Sequence, residues 1–334
     1  MADSPQRFPF EPWERPTLRK LGPWRGLQVG AAVAVNPLRN DPTYREFLVR
    51  EFNVVTAENA MKFYTIRRSP ERYDFSGADA IVTFAQDHGL KVRGHTLVWH
   101  FALPEWLSEK TMSREETIEF KREYIHTVVG RYRGRVFAWD VVNEAIEYDG
   151  SMRQTYWYER LGPDYVDLAF QWAREADPEA LLFYNDFVGE GMGHDTTVLY
   201  DYVKGLLERG VPVDGVGLQL HVNIDDPPRP RTVRRAIRRF ADLGLKVHIT
   251  ELDVSIAKPV TAKDLDKQAR IYADLIRLAR NEDAVTDFIM WGFTDRYSWV
   301  PMFFEGRGAA LPFDEDFNPK PAHLTMMDAL ASRW

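Results

Sequence analysis

Two glutamates stand at the ends of apolar runs: Glu144 in WDVVNEA (139–145) and Glu251 in ITELDV (249–254). Two carboxyls held about 5–5.5 Å apart can hydrolyse a glycosidic bond with retention. One must be protonated, to give its proton to the leaving oxygen. The other must be ionised, to attack the anomeric carbon. Proximity helps, because two nearby negative charges push the two titrations apart. A lone glutamate at a strand end is ordinarily structural, as a neighbour of a helix cap or half of a salt bridge. Two at matched strand ends, each with polar neighbours, favour catalysis. Other chemistries have little to work with. The chain has no cysteine, which removes thiolate nucleophiles, disulfides, iron–sulfur clusters and cysteine zinc sites together. Its 8 histidines form neither HxH nor HExxH, so a metal hydrolase has little support. No cofactor and no metal are expected.

Residues so far apart need a scaffold that brings them together. Eight short apolar runs read as strands: 28–34, 51–56, 91–98, 136–142, 180–184, 215–220, 246–250 and 288–293. They are nearly continuous, as parallel strands buried on both faces are. Amphipathic stretches lie between them, near 42–50, 76–88, from Ser113 onward, 163–176, 195–209, 231–240, 262–280 and 321–331. In the clearest, Leu265, Ala269, Tyr272, Ile276 and Ala279 share one face, and Thr261 with Asp264 forms a capping signal. Ser113 and Glu116 repeat that signal. Strict alternation of eight strands and eight helices predicts an α/β fold, a single (β/α)8 TIM barrel over residues 1–334, with 1–25 as an irregular strap.

In such a barrel the active site lies at the C-terminal ends of the strands. Polar residues crowd there. Glu58, Asn59 and Lys62 follow the second strand, and His95, Trp99 and His100 end the third. Asn143 and Glu144 end the fourth, Asn185 and Asp186 the fifth, Gln219 and His221 the sixth. Glu251 and Asp253 end the seventh, and Trp291 and Asp295 the eighth. Strands four and seven lie roughly across the barrel, so their two glutamates are expected to converge over its mouth.

Composition narrows the function classes. The 334 residues are 45% hydrophobic and 28% charged, the balance of a soluble globular protein. A net charge of −7 argues against a nucleic-acid binder. Arg229, Arg231, Arg234, Arg235, Arg238 and Arg239 read instead as a solvated helix face, opposite Val233, Ile237 and Phe240. No apolar run approaches the ~18 residues of a membrane span. The opening residues show no hydrophobic signal segment, so the protein is expected to work inside the cell as given, or outside after losing a leader. Aromatic residues make up 13%, and some of the 10 tryptophans are expected to line a groove for flat sugar rings. Trp13, Trp24, Trp157, Trp172 and Trp334 read as packing, and His248 as a satisfied core group.

The chain also carries TAENAMK (56–62), RGHTLVWH (93–100), YND (184–186), GVGLQLH (215–221) and WGFTDRYSWVP (291–301). With the two glutamate segments these run in one order over nearly the whole chain. They resemble glycoside hydrolase family 10, whose main activity is endo-1,4-β-xylanase. The resemblance implies a retaining enzyme acting on xylan or xylo-oligosaccharides, with Glu144 as general acid/base and Glu251 as nucleophile. Asn143 would bond the 2-hydroxyl of the reacting sugar. His221 would bond the nucleophile, with Asp253 behind it. Glu58, Asn59 and Lys62 would grip the next sugar on the non-reducing side. His95, Trp99 and Gln219 would wall the reacting sugar, Trp291 and Trp299 would roof the glycone sites, and Tyr184 would stack on the leaving-group side. Four positions depart from the family pattern: Phe63, Phe101, Ala102 and Val188. Two rival readings remain, a related barrel acting on another β-linked glycan such as cellulose, and a sugar-binding barrel without catalysis.

Overall fold

Eight parallel strands pair in chain order and close on themselves. They are β1 (Gln28–Val33), β2 (Val54–Ala57), β3 (Lys91–Val98), β4 (Val136–Asn143), β5 (Leu181–Asp186), β6 (Gly215–Leu218), β7 (Lys246–Ala257) and β8 (Val285–Met290). β8 returns to β1 through Gln28↔Asp287 and Ala31↔Met290. The computed structural model describes residues 16–101, 103–188 and 197–332. Trp13, Ala102, Trp334 and the first fifteen positions of the expected strap lie outside the described residues.

Helices wall the barrel: α1 (Leu18–Trp24), α2 (Pro42–Glu51), α3 (Ser76–Asp87), α4 (Arg114–Arg131), α5 (Tyr165–Ala176), α6 (Thr197–Glu208), α7 (Pro230–Asp242), α8 (Ala262–Ala279) and α9 (Pro321–Ala331). The sequence signals place their starts. Ser113 and Glu116 close a capping box on α4, and Thr261 and Asp264 close one on α8. On α7 the buried residues are Val233, Ala236, Ile237 and Phe240. On its outer side Arg234 and Arg238 pair with Glu282 at 3.0 and 2.9 Å.

Two expectations need correction. Residues 18–24 are not irregular strap but helix α1, with Leu18 and Leu21 buried. Its first turn is held from outside: the Leu18 amide donates to Glu51 Oε2 of α2 at 3.3 Å. That donor–acceptor pair spans thirty-odd residues, so no local pattern announces it. The seventh strand, expected over 246–250, runs on to Ala257. Its second half gains a partner in residues 221–223, which pair as His221↔Asp253 to Asn223↔Ser255. This pairing sets His221 beside Asp253.

The barrel interior holds a column of polar side chains among the packed hydrocarbon. His248 Nε2 lies 2.9 Å from Thr286 Oγ1 and 3.0 Å from Asp287 Oδ2, and its Nδ1 accepts from Arg93 Nε at 3.4 Å. Arg93 grips Asp140 with both terminal nitrogens. Asp140 in turn meets His95 Nδ1 at 2.9 Å. Each buried charge therefore has a partner, the condition for tolerating charges in a core. His248 is the satisfied core group expected.

Candidate active site

β4 ends at Asn143, and the next residue, Glu144, takes a left-handed backbone with φ 57°. Few residues other than glycine adopt this conformation. Here the Glu144 amide donates to the Asn185 carbonyl at 2.9 Å, and its own carbonyl accepts from Arg153 Nε at 3.1 Å. Glu251 sits where the register of β7 against β8 slips, between Ile249 and Leu252. Both glutamates thus occupy breaks in regular strand geometry.

Three amides join them in one network. Asn185 Nδ2 donates to Glu251 Oε1 at 2.6 Å and to Asn143 Oδ1 at 2.7 Å. Gln219 Nε2 donates to Asn143 Oδ1 at 3.2 Å and to Glu144 Oε1 at 3.0 Å. Asn143 Nδ2 donates to Glu144 Oε1 at 3.2 Å. The side chain of Glu144 is 14% exposed and that of Glu251 6%, so neither is sealed off.

The surroundings of the two carboxyls differ. Glu251 Oε2 is 3.2 Å from His221 Nε2, and Oε1 is 3.9 Å from His95 Nδ1. Burial pushes the Glu251 carboxyl up, but the charges of His95 and His221 outweigh it and hold the group below the ordinary value. Burial would lower His221, yet Asp253, 2.9 Å from its Nδ1, and Glu251 hold it well above the ordinary imidazole value. The result is a cation clamped between two carboxylates. Glu144 Oε2 instead accepts from the Trp99 indole Nε1 at 2.9 Å and lies 4.0 Å from His100 Nδ1.

One side of this pair is lined by Lys62, Asn59, Glu58 and tryptophans. Lys62 Nζ donates to Asn59 Oδ1 at 2.9 Å and lies 4.8 and 5.7 Å from the ring centroids of Trp99 and Trp291. Burial lowers the Lys62 ammonium, while Glu251, Glu58 and Glu144 push it back up. Burial also raises Glu58, which Lys62 partly offsets. Trp291 stands edge-on to His95 at 5.0 Å. Trp299 donates from Nε1 to Asp253 Oδ2 at 2.7 Å and lies 4.8 Å from His221. Asp253 therefore orients a histidine and a wall of the site at once.

Every expected site residue lies in this assembly except Tyr184. Its side chain is 0% exposed, so it offers no face to a sugar. Its hydroxyl donates to Asp186 Oδ2 at 2.7 Å and accepts from the Ala145 amide at 3.0 Å, which pins the backbone just after Glu144. Asp186 is pushed up to about 7 by burial. Exposed aromatic surface near Glu144 lies elsewhere. Tyr148 is 50% exposed and stands 5.6 Å from Phe187; Phe101 is 53% exposed and stands 5.3 Å from Trp99. Sequence reading placed Asn185 at this end of the barrel without giving it a role, and passed over Asp140 and Arg93 as site builders. The available signal was polar residues interrupting otherwise apolar strands. Among the described residues no group of three or more acidic or histidine side chains is arranged to hold a metal ion.

Comparison with known proteins adds four findings. Residues 17–329 match the profile of glycosyl hydrolase family 10. The chain is 40% identical over 319 residues to endo-1,4-beta-xylanase B of Thermotoga neapolitana, covering 95% of this chain and 92% of that one. With endo-1,4-beta-xylanase B of Paenibacillus barcinonensis it shares 42% over 312 residues, covering 88% and 92%. Xylanase 10B of Thermotoga petrophila, solved in complex with xylobiose, superposes with a TM-score of 0.91 at 41% identity, over 95% of this chain and 98% of that one.

Proposed function

The chain belongs to glycosyl hydrolase family 10, and we propose that it is an endo-1,4-β-xylanase that cleaves xylan or xylo-oligosaccharides with retention. The single observation that carries this reading is the amide network linking Glu144 to Glu251 while leaving them in unlike surroundings. Glu251 is held ionised by His95 and His221, as a nucleophile must be. Glu144 is the more open carboxyl and faces the leaving oxygen. It protonates that oxygen as Glu251 forms the glycosyl-enzyme, and then deprotonates the water that releases the product.

Asn143 is fixed at Oδ1 by two donors, and its Nδ2 lies beside Glu144. A bond from this amide to the 2-hydroxyl strengthens as positive charge develops on the sugar ring, so it serves rate more than affinity. Glu58, Asn59 and Lys62 take the neighbouring glycone sugar. Trp291 and Trp299 close on the position where glucose would carry its hydroxymethyl group, which favours xylose. Sterics of one small group discriminate only modestly, so slow hydrolysis of a β-glucan is compatible with this reading. Tyr148, Phe187 and Phe101 provide the flat apolar surface on the leaving-group side. These residues act from a single barrel domain.

The test is the configuration and size of the products. Hydrolysis of xylohexaose followed by NMR should show the β-anomer first, with internal bonds cut. Glu251→Ala should abolish turnover with the fold intact. An initial α-anomer would sink the double displacement, full activity of Glu251→Ala would remove the nucleophile, and a β-glucan hydrolysed faster than xylan would transfer the reading to another glycan.

A further inference from the structure

Lys121 of α4 is 2% exposed and plays no part in the network of carboxylates and amides. Its Nζ donates to the Leu97 carbonyl at 2.9 Å. Three rings surround it, Trp157, Tyr124 and Phe63, with centroids 4.0, 4.6 and 4.9 Å away. No carboxylate pairs with it among the described residues, and burial pushes its ammonium well below the ordinary lysine value. A hydrocarbon side chain of equal length would fill the same space without taking an amine out of water. The amine is therefore costly to the fold, and its place among the strands indicates what it does.

The carbonyl that Lys121 holds lies where β3 departs from its ladder: the register against β4 slips between His95 and Val98. Two residues further, the Trp157 indole Nε1 donates to the Trp99 carbonyl at 3.4 Å. Side-chain donors thus hold two alternate carbonyls, Leu97 within the slip and Trp99 just past the end of β3. Trp99, at the end of this segment, donates in turn to Glu144 Oε2 at 2.9 Å. Phe63, one wall of the box, follows directly on Lys62.

We infer that Lys121 is a positioning residue for the acid/base: through the Leu97 carbonyl and the Trp157 ring it sets the last residues of β3, and with them the indole N–H that meets Glu144. The inference rests on Glu144 being the acid/base. The other charged or titratable groups around Glu144 are Glu251, His100, Lys62, Asp186 and Arg153, and substitution of Lys121 removes none of them.

The experiment compares Lys121→Met and Trp157→Phe with the wild type. It uses two aryl β-xylobiosides, one with a good and one with a poor leaving group, over a pH series, together with thermal midpoints. In Lys121→Met the midpoint should hold or rise. Its kcat/KM should fall about tenfold for the poor leaving group and far less for the good one, as expected when acid assistance is weakened. Because the Trp99 indole N–H bonds Glu144 directly, the pH profile should change along with the leaving-group dependence. Trp157→Phe keeps the ring and loses the N–H, and should show the same pattern more weakly. It decides the matter if Lys121→Met fails to fold. Unchanged leaving-group dependence and pH profile in both variants overturns the inference. So does a lowered midpoint with equal losses on both substrates, which marks Lys121 as packing alone. A wild type whose own rate ignores the leaving group overturns the assignment of Glu144 instead.

Discussion

Replacing Gly217 by alanine should damage catalysis without touching any group that meets the substrate. Gly217 lies on β6 directly across from Asn185 in the β5–β6 register. A Cβ there would stand 2.1 Å from Asn185 Oδ1, 3.0 Å from its Cγ and 2.9 Å from Thr250 Cγ2. Real contacts need more than 3 Å, so the Asn185 amide must move by about 1 Å. That movement breaks the bond from Thr250 Oγ1 to Asn185 Oδ1, now 2.7 Å, and draws Nδ2 away from Glu251 Oε1, now 2.6 Å. A hydrogen bond to a charged group contributes about 1.5–3 kcal/mol and a neutral one about 1 kcal/mol. Part of the steric strain is relieved by the same movement, so the expected destabilisation is about 2–4 kcal/mol. Glu251, left without this donor or drawn after it by up to ~1 Å, should then work with kcat/KM lowered by about 10²-fold. Urea unfolding followed by circular dichroism measures the first quantity, and initial rates on an aryl β-xylobioside the second. Gly130, exposed on α4 with nothing within 4 Å of its would-be Cβ, is the control. Gly130→Ala should leave activity alone and stabilise by up to ~1 kcal/mol. If Gly217→Ala matches the wild type within about 0.5 kcal/mol and keeps its full rate, close approach at β6 does not position Asn185.

His221→Gln keeps a hydrogen-bonding side chain but removes a cation next to Glu251, so the acidic limb of kcat/KM should move up by about 1 pH unit. An unmoved limb would mean that His95 alone keeps the nucleophile ionised. The same substitution has a signature in stability. His221 is held above its ordinary value, so its contribution is full below the unfolded value of ~6.5 and is lost as pH rises through the higher folded value. The stability gap between wild type and His221→Gln should therefore narrow on the alkaline side, and a gap that widens there would contradict the clamped cation. Tyr148→Ala and Phe187→Ala should each lower kcat/KM on xylohexaose about 3- to 10-fold, a ring contact being worth ~0.5–1.5 kcal/mol. Their rates on an aryl xylobioside should change little. Equal losses on both substrates would place these rings away from the leaving-group side.

The barrel was legible in the chain because each of its signals is local. Buried parallel strands read as short apolar runs, and the capping boxes at Ser113 and Thr261 mark helix starts within four residues. The position of the polar residues after each run then pointed to one end of the barrel, and Glu144, Glu251, Asn143, Gln219, His221 and Asp253 do meet there. Helix α1 was missed because its cap, Glu51, comes from another helix. The family resemblance also gave Tyr184 a role that its burial denies it. A tyrosine after an apolar run looks the same whether its ring faces a groove or its hydroxyl ties down the backbone beside Glu144.

What the sequence by itself determined is the order of strands and helices and the kinds of groups at the strand ends. Periodicity and side-chain chemistry belong to short stretches of chain. Only the tertiary structure decided which of those groups share protons and charge: that Asn185 joins the two carboxyls, that a histidine cation sits between Glu251 and Asp253, and that a lysine buried among rings holds the strand that leads into Trp99. Hydrogen bonds and charge–charge forces act over a few ångströms of space, whatever the distance along the chain, and folding sets that space.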